Sequence, residues 1–266
     1  MPLEALLLAL AAAFLHAGWN VLLRGSTDVA ARTIAVLVVS VVLFAPAAAA
    51  TWRVQAAAIP YVAASAALEA VYFVLLTAAY RRRELSVVYP VARGSAPALV
   101  LAGTAVVLGR AVSGAQVAGV LLVAAGVVLV RGLRSGADGI GVGLAIGALI
   151  AGYTLVDKEG LHHAAPIPYL ELVLAPIALV AIAVRPRALR EQASLATLGA
   201  AAGSFGAYLL FLFALRLTAA PGVAAVRETS VVIGAILAAL FLKERVTWTR
   251  LLGAAIVAAG VAVLAA

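Results

Sequence analysis

The sequence predicts an all-α polytopic membrane protein, with ten transmembrane helices arranged as two inverted five-helix repeats. Three observations carry that expectation. Of the 266 residues, 66% are hydrophobic and 11% charged, against roughly 45–50% and about 25% in a soluble domain. The apolar residues gather in ten runs of about 18–24 residues, the length a spanning helix needs. The two halves of the chain repeat residue types at a constant offset of 134 positions.

The runs are continuous rather than alternating, which favours helices over a membrane barrel. Their abundant Ala and Gly allow close backbone packing. Between charge and turn clusters, spans are expected at 3–23, 29–51, 57–80, 85–109, 112–131, 139–157, 166–184, 194–215, 219–242 and 247–265. The first run also supplies the N-terminus, which lacks the basic segment of a cleaved signal peptide. Arg24 through Asp28 ends the first span, Arg81-Arg82-Arg83-Glu84 the third, Arg131 through Asp138 the fifth, and Lys243-Glu244-Arg245 the ninth. Pro46 and Pro176 fall inside the second and seventh spans, where kinks are expected.

Two repeat units, 1–134 and 135–266, follow from the offset. Val112, Gly119 and Val123-Ala124-Ala125-Gly126-Val127 reappear as Val246, Gly253 and Val257-Ala258-Ala259-Gly260-Val261. The same shift pairs Arg93 with Arg227, Gly18-Trp19 with Gly152-Tyr153, and Arg24 with Lys158. An odd number of spans per half turns the second half over, which is the plan of many secondary transporters.

Several functions are excluded. Without cysteine there are no disulfides, thiol nucleophiles or zinc–thiolate sites. The net charge of +8 comes from basic residues scattered between apolar runs, so they form no stripe for nucleic acid. They set orientation and meet anionic headgroups instead. His162-His163 has no spaced ligand set, so no metal is expected. Gly139 through Gly143 follows no strand and lacks the Lys-Ser/Thr ending of a phosphate loop. No Ser-His-Asp or metal constellation supports an enzyme, and no cofactor is implied.

A charge at the bilayer centre costs about 2.5–3.5 kcal/mol on insertion scales, so such residues face a cavity or a partner. Glu69, Arg93, Arg227 and Glu228 lie well inside spans, with His16 and Asn20 in the first. Arg93 could bind a carboxylate or phosphate through its planar fork, or could pair with Glu69. Tyr89, one turn earlier, shares its face. Arg227 is the symmetry mate of Arg93 and is favoured for the cavity. Glu228, about 100° around the helix, would then face a neighbour. Ser65 and Tyr72 share the face of Glu69, which could take a proton, bind an amine or serve as a counter-ion. His16, beside Trp19 and one turn from Asn20, would suit proton coupling where it faces water. Tyr153, Thr154, Ser204, Tyr208 and Ser230 are candidate lining from the second half.

Four segments carry a family resemblance. They are Leu15-His16-Ala17-Gly18-Trp19-Asn20-Val21-Leu22-Leu23-Arg24, Ser86-Val87-Val88-Tyr89-Pro90-Val91-Ala92-Arg93, Gly152-Tyr153-Thr154-Leu155-Val156-Asp157-Lys158, and Lys243-Glu244-Arg245 with Gly253 and Ala259-Gly260-Val261. In order and spacing they resemble the EamA-like members of the drug/metabolite transporter superfamily over nearly the whole chain. The resemblance implies two five-helix halves around a central cavity and alternating access, with no particular substrate. The superfamily's four-helix small multidrug resistance proteins use a first-helix glutamate. The position matching it here, judged from Arg24, is about His16, so this sequence departs from their cation-for-proton pattern.

The expected function is secondary transport of a small metabolite, a zwitterion such as an amino acid or a small organic acid, in the direction of export. Arg93, Arg227, Glu69, Tyr89, Tyr72, His16, Asn20, Trp19, Tyr153 and Tyr208 would form the substrate site, with Glu69 and His16 coupling protons. An exporter of cationic drugs, a lipid-linked sugar flippase and a non-transporting membrane scaffold are the rivals. The expected partners are the substrate and the lipid bilayer of a bacterial inner membrane, and the chain would be a monomer or homodimer. Orientation signals conflict. Loops after odd-numbered spans hold thirteen Lys and Arg against four on the other side. That bias puts both termini outside, whereas the resemblance implies both inside.

Overall fold

The computed structural model describes residues 1–82, 85–131, 139–242 and 247–266. Residues 83–84, 132–138 and 243–246, with the junction between the two expected repeats, lie outside the described residues. The helices are α1 (Leu3–Arg24), α2 (Val29–Ala50), α3 (Ile59–Arg82), α4 (Leu85–Val106), α5 (Gly114–Arg131), α6 (Ile140–Gly160), α7 (Pro166–Val184), α8 (Ala188–Glu191), α9 (Leu195–Leu217), α10 (Ala220–Arg227), α11 (Thr229–Leu242) and α12 (Trp248–Ala265). Eight helical segments among the described residues are long and apolar enough to cross a membrane, and α5 adds a shorter apolar helix. Leu, Val and Ile side chains stay exposed along them, as lipid-facing surfaces require.

The starts of the helices have local causes. Asp28 caps α2 by accepting from the Ala31 N–H at 2.9 Å, and Ser194 caps α9 by accepting from the Thr197 N–H. Gly139 precedes α6 at φ 95°, a left-handed conformation that glycine adopts without steric cost. The helices α2 and α7 run unbroken through Pro46 and Pro176.

Within the expected span at 219–242, Ala220–Leu237 is one apolar crossing segment, but it is built of two helices that meet at Glu228. Pro221 sits in the first turn of α10, where its missing N–H costs nothing. At the break the Glu228 N–H bonds the Ala225 carbonyl at 3.0 Å, a tighter turn than the α-helix. The Thr229 hydroxyl donates to the Val226 carbonyl at 2.8 Å, satisfying a backbone acceptor that lipid cannot. A second difference is at α6, which continues past 157 to Gly160. That extension makes Asp157 a helix residue rather than a span terminator.

Most of the packing joins residues of the first half to residues of the second. The helix α1 packs on α9, α3 and α4 on α6, α2 on α7, and α5 on α12. The last pair meets through glycine. A Cβ on Gly126 would lie 2.7 Å from the Gly253 carbonyl oxygen, and one on Gly260 would lie 2.8 Å from that of Gly119. Both chain ends lie on one face, where the N-terminal amine donates to the Leu264 carbonyl at 3.2 Å. On that face an antiparallel bridge joins Val54 to Ala164, and Arg110 pairs with Glu159 at 2.8 Å. On the opposite face Arg185 pairs with Asp28 at 2.8 Å.

Candidate functional site

Two buried polar groupings occupy the middle of the bundle. The first centres on Arg93 of α4. Its guanidinium pairs with Glu228 (Nη1 to Oε1, 3.1 Å), and both side chains are almost fully buried. The expected partnership of Arg93 with Glu69 is therefore corrected. Glu228 sits at the turn between α10 and α11. Arg93 Nη2 also lies 2.9 Å from His16 Nε2 and 3.4 Å from the Ser230 hydroxyl. An arginine has only donors, so His16 Nε2 accepts and the ring proton of the neutral imidazole sits on Nδ1. Tyr89 places its ring 5.8 Å from the Arg93 guanidinium.

The second grouping joins Glu69 of α3, Asp157 of α6 and Tyr208 of α9. The Tyr208 hydroxyl lies 2.6 Å from Glu69 Oε1 and 2.6 Å from Asp157 Oδ2. The other Asp157 oxygen accepts from Ser65 at 2.6 Å and from Tyr169 at 3.0 Å. Glu69 and Asp157 are 4% and 1% exposed, so neither carboxyl depends on bulk water for its partners.

Arg227 stands between the groupings. Its guanidinium lies over the rings of Phe211 (4.4 Å) and Tyr208 (5.3 Å). It is 8% exposed and has no ion-pair partner among the described residues. Tyr153 completes an aromatic wall, its ring 6.1 Å from those of both Tyr72 and Tyr208. Trp19 meets the His16 ring edge-on at 5.3 Å, and its indole N–H is buried without an acceptor among the described residues. The Asn20 amide turns back to the His16 carbonyl at 2.6 Å.

Residues 138–266 match the model of the EamA-like transporter family. That half of the chain is similar to the EamA-like transporter family. No curated protein matches in sequence. The fold is similar to a crystal structure of another protein, with a TM-score of 0.80 and 15% identity, over 99% of this chain and 96% of that one. With its eight long apolar helical segments and this similarity, the chain is a multi-pass membrane protein.

The matched half contributes Tyr153, Tyr208, Arg227 and Glu228 to the centre, together with three residues that sequence reasoning missed, Phe211 against Arg227 among them. Asp157 stands beside Lys158 and Glu159 and reads as the end of a span. Tyr169 lies in the first turn of α7 and reads as an interfacial anchor. Glu171, also in α7, is 9% exposed with one carboxyl oxygen unpartnered among the described residues. A carboxylate inside the run 166–184 was the available signal for it. His163, in the loop after α6, stacks on Tyr61 at 5.7 Å.

Proposed function

We propose that this protein is a secondary transporter that moves a small carboxylate-bearing metabolite, a zwitterion or an organic acid, outward across a bacterial inner membrane. The observation that carries the reading is Arg227: buried, cupped by two aromatic faces, and in no direct ion pair among the described residues. A guanidinium so placed is ready to take a carboxylate in a bidentate bond, while Tyr208 and Phe211 hold its plane by cation–π contact. Arg93 has its charge already met by Glu228, so it shapes the site rather than anchoring the ligand. Tyr72, Tyr89 and Tyr153 would line the bound ligand, with Trp19 and Asn20 beside His16. Because His16 accepts from Arg93, the proton-coupling role falls to Glu69.

Alternating access is supported by the way the halves interlock. The packed pairs α2–α7 and α5–α12 exchange with themselves under a shift of five spans, as the 134-residue offset requires. Gly119 and Gly126 correspond by that offset to Gly253 and Gly260, and their cross-helix contacts interchange. The asymmetry of the site has a sequence cause. The residue 134 positions before Glu228 is Gly94, so Arg227 lacks the counter-ion that Arg93 has.

The test is ligand-induced thermal stabilisation of purified protein, wild type beside Arg227→Ala. A ligand that binds only the folded state stabilises it by RT ln(1 + [L]/Kd). Amino acids or dicarboxylates should raise the wild-type Tm and leave the variant unmoved. Stabilisation by quaternary ammonium ions alone, equal in both proteins, would replace this reading with cationic-drug export.

A further inference from the structure

The hydroxyl of Tyr208 has one hydrogen, yet it lies at hydrogen-bonding distance from two carboxyl oxygens on different helices. One phenolic proton can serve only one of them. The second 2.6 Å contact requires a proton on the other carboxyl, donated to the phenolic oxygen. We infer that Glu69, Tyr208 and Asp157 form a site for one shared proton, whose occupancy sets the charge facing Arg227. This rests on the substrate reading above only for what Arg227 binds. The proton follows from the hydrogen count.

The surroundings support an exchangeable proton rather than a fixed one. Asp157 has two further hydroxyl donors, Ser65 from α3 and Tyr169 from α7, so it is well provided for when ionised. Glu69 has the Tyr208 hydroxyl as its hydrogen-bond partner. Moving the acid proton between the carboxyls takes two linked transfers: one carboxyl gives its proton to the phenolic oxygen as the phenolic proton passes to the other carboxylate. Arg227 of α10, buried and without an ion-pair partner among the described residues, acts electrostatically on both acids. From α6 Tyr153 faces the group, and from α3 Tyr72. Beyond Arg227, the charges of Arg93 on α4 and Glu228 offset each other, and His16 of α1 is the acceptor for Arg93.

Charge balance then links the proton to the ligand. With one proton, the two acids carry a single negative charge, which Arg227 offsets across the ring of Tyr208. An arriving ligand carboxylate adds a negative charge. A second proton from water, taken by whichever acid is ionised, restores neutrality in the low-dielectric site. Carboxylate and proton therefore bind together.

The experiment is infrared spectroscopy of the full chain in lipid nanodiscs at neutral pH. Glu171→Gln serves as background, so that this separate buried acid does not contribute. A protonated carboxylic C=O stretch is expected. It should vanish in Glu69→Gln and equally in Asp157→Asn, because either acid left alone with its hydroxyl donors is ionised. Loss in only one variant would assign the proton to that acid and overturn the sharing, and so would a missing band. Should Asp157→Asn fail to fold, side-chain ¹³C labelling of Asp or of Glu in the otherwise unaltered background decides. Sharing shifts the band partially with each label, and a single owner shifts it fully with one. For coupling, the Tm rise given by the dicarboxylate succinate should grow as pH falls, and should be pH-independent once both acids are removed in Glu69→Gln with Asp157→Asn. A rise equal at both pH values in the wild type would sink the coupling. If the band behaves as expected while no carboxylate stabilises the protein, the proton site stands and the substrate reading fails.

Discussion

Arg93 and Glu228, from opposite halves of the chain, form an ion pair at 3.1 Å in which both side chains are almost fully buried. Removing one partner of a buried pair leaves an uncompensated charge and costs about 3–5 kcal/mol, whereas replacing both by apolar residues of similar size is often near neutral. Glu228→Gln should therefore lower the Tm in detergent substantially, and Arg93→Met with Glu228→Met should recover most of the loss. A double variant no more stable than the worse single one would show that the pair contributes in itself, beyond relieving desolvation.

The contact of α5 with α12 gives a second prediction. A methyl on Gly126 would lie 2.7 Å from the Gly253 carbonyl, and one on Gly253 would lie 2.7 Å from the Val130 backbone nitrogen. Those neighbours are backbone and cannot rotate aside. Gly126→Ala and Gly253→Ala should each destabilise by about 1–3 kcal/mol, the usual cost of overpacking. Gly234→Ala, where nothing lies within 4 Å, should not. Thermal unfolding of the three variants separates these cases, and equal Tm values would refute the close approach.

These two relationships differ in how far the sequence disclosed them. The glycines of α5 and α12 were visible as the Val-Ala-Ala-Gly-Val repeat, because a tight helix contact needs small residues at fixed spacing. The spans were legible for a similar reason, since charged and Gly-rich clusters interrupt apolar runs. The break at Glu228 was not, because the partner of its carboxylate, Arg93, stands on α4. Asp157 was hidden by its neighbours Lys158 and Glu159, and the hydroxyls that satisfy it come from α3, α7 and α9. Local patterning shows where a charge stands in a span. Choosing among Glu69, Asp157 and Glu228 as partners requires the three-dimensional arrangement.

A third prediction concerns pH and lies outside the spans. The Ala31 N–H and then the Arg185 guanidinium hold the Asp28 carboxyl below its ordinary value of 3.8. A depressed carboxylate pKa stabilises the fold above the unfolded value, and the contribution is lost as pH falls through the folded one. Wild-type Tm should therefore drop more steeply than that of Asp28→Asn below pH 3.8. Asp28→Ala, which also removes the cap of α2, should cost about 0.5–2 kcal/mol near neutral pH. The ion pair itself adds little, since the Arg185 and Asp28 side chains are 37% and 40% exposed. Parallel pH profiles for wild type and Asp28→Asn would remove the carboxylate from the account.

The last prediction resolves the conflict over orientation. The N-terminal amine bonds the Leu264 carbonyl, so both termini share one face. Arg53, Arg110, Lys158 and Arg216 are the basic residues that the order of spans assigns to that side, against thirteen that it assigns to the other. Such a bias retains the richer side in the cytoplasm. Several of the thirteen, including Arg81, Arg82, Arg83, Arg134, Lys243 and Arg245, have side chains outside the described residues. Their effect rests on which side each loop occupies, not on side-chain geometry. A C-terminal alkaline phosphatase fusion should be active and a C-terminal fluorescent protein dark, since the first matures outside the cytoplasm and the second inside. Moving charge should shift the balance: Arg185, Arg187 and Arg190 changed together to Gln, with Lys introduced at Ala57 and Ala219, should give a mixed population. Bright fluorescence from the wild-type fusion would place both termini inside, as the family resemblance implies, and make this chain an exception to the charge rule.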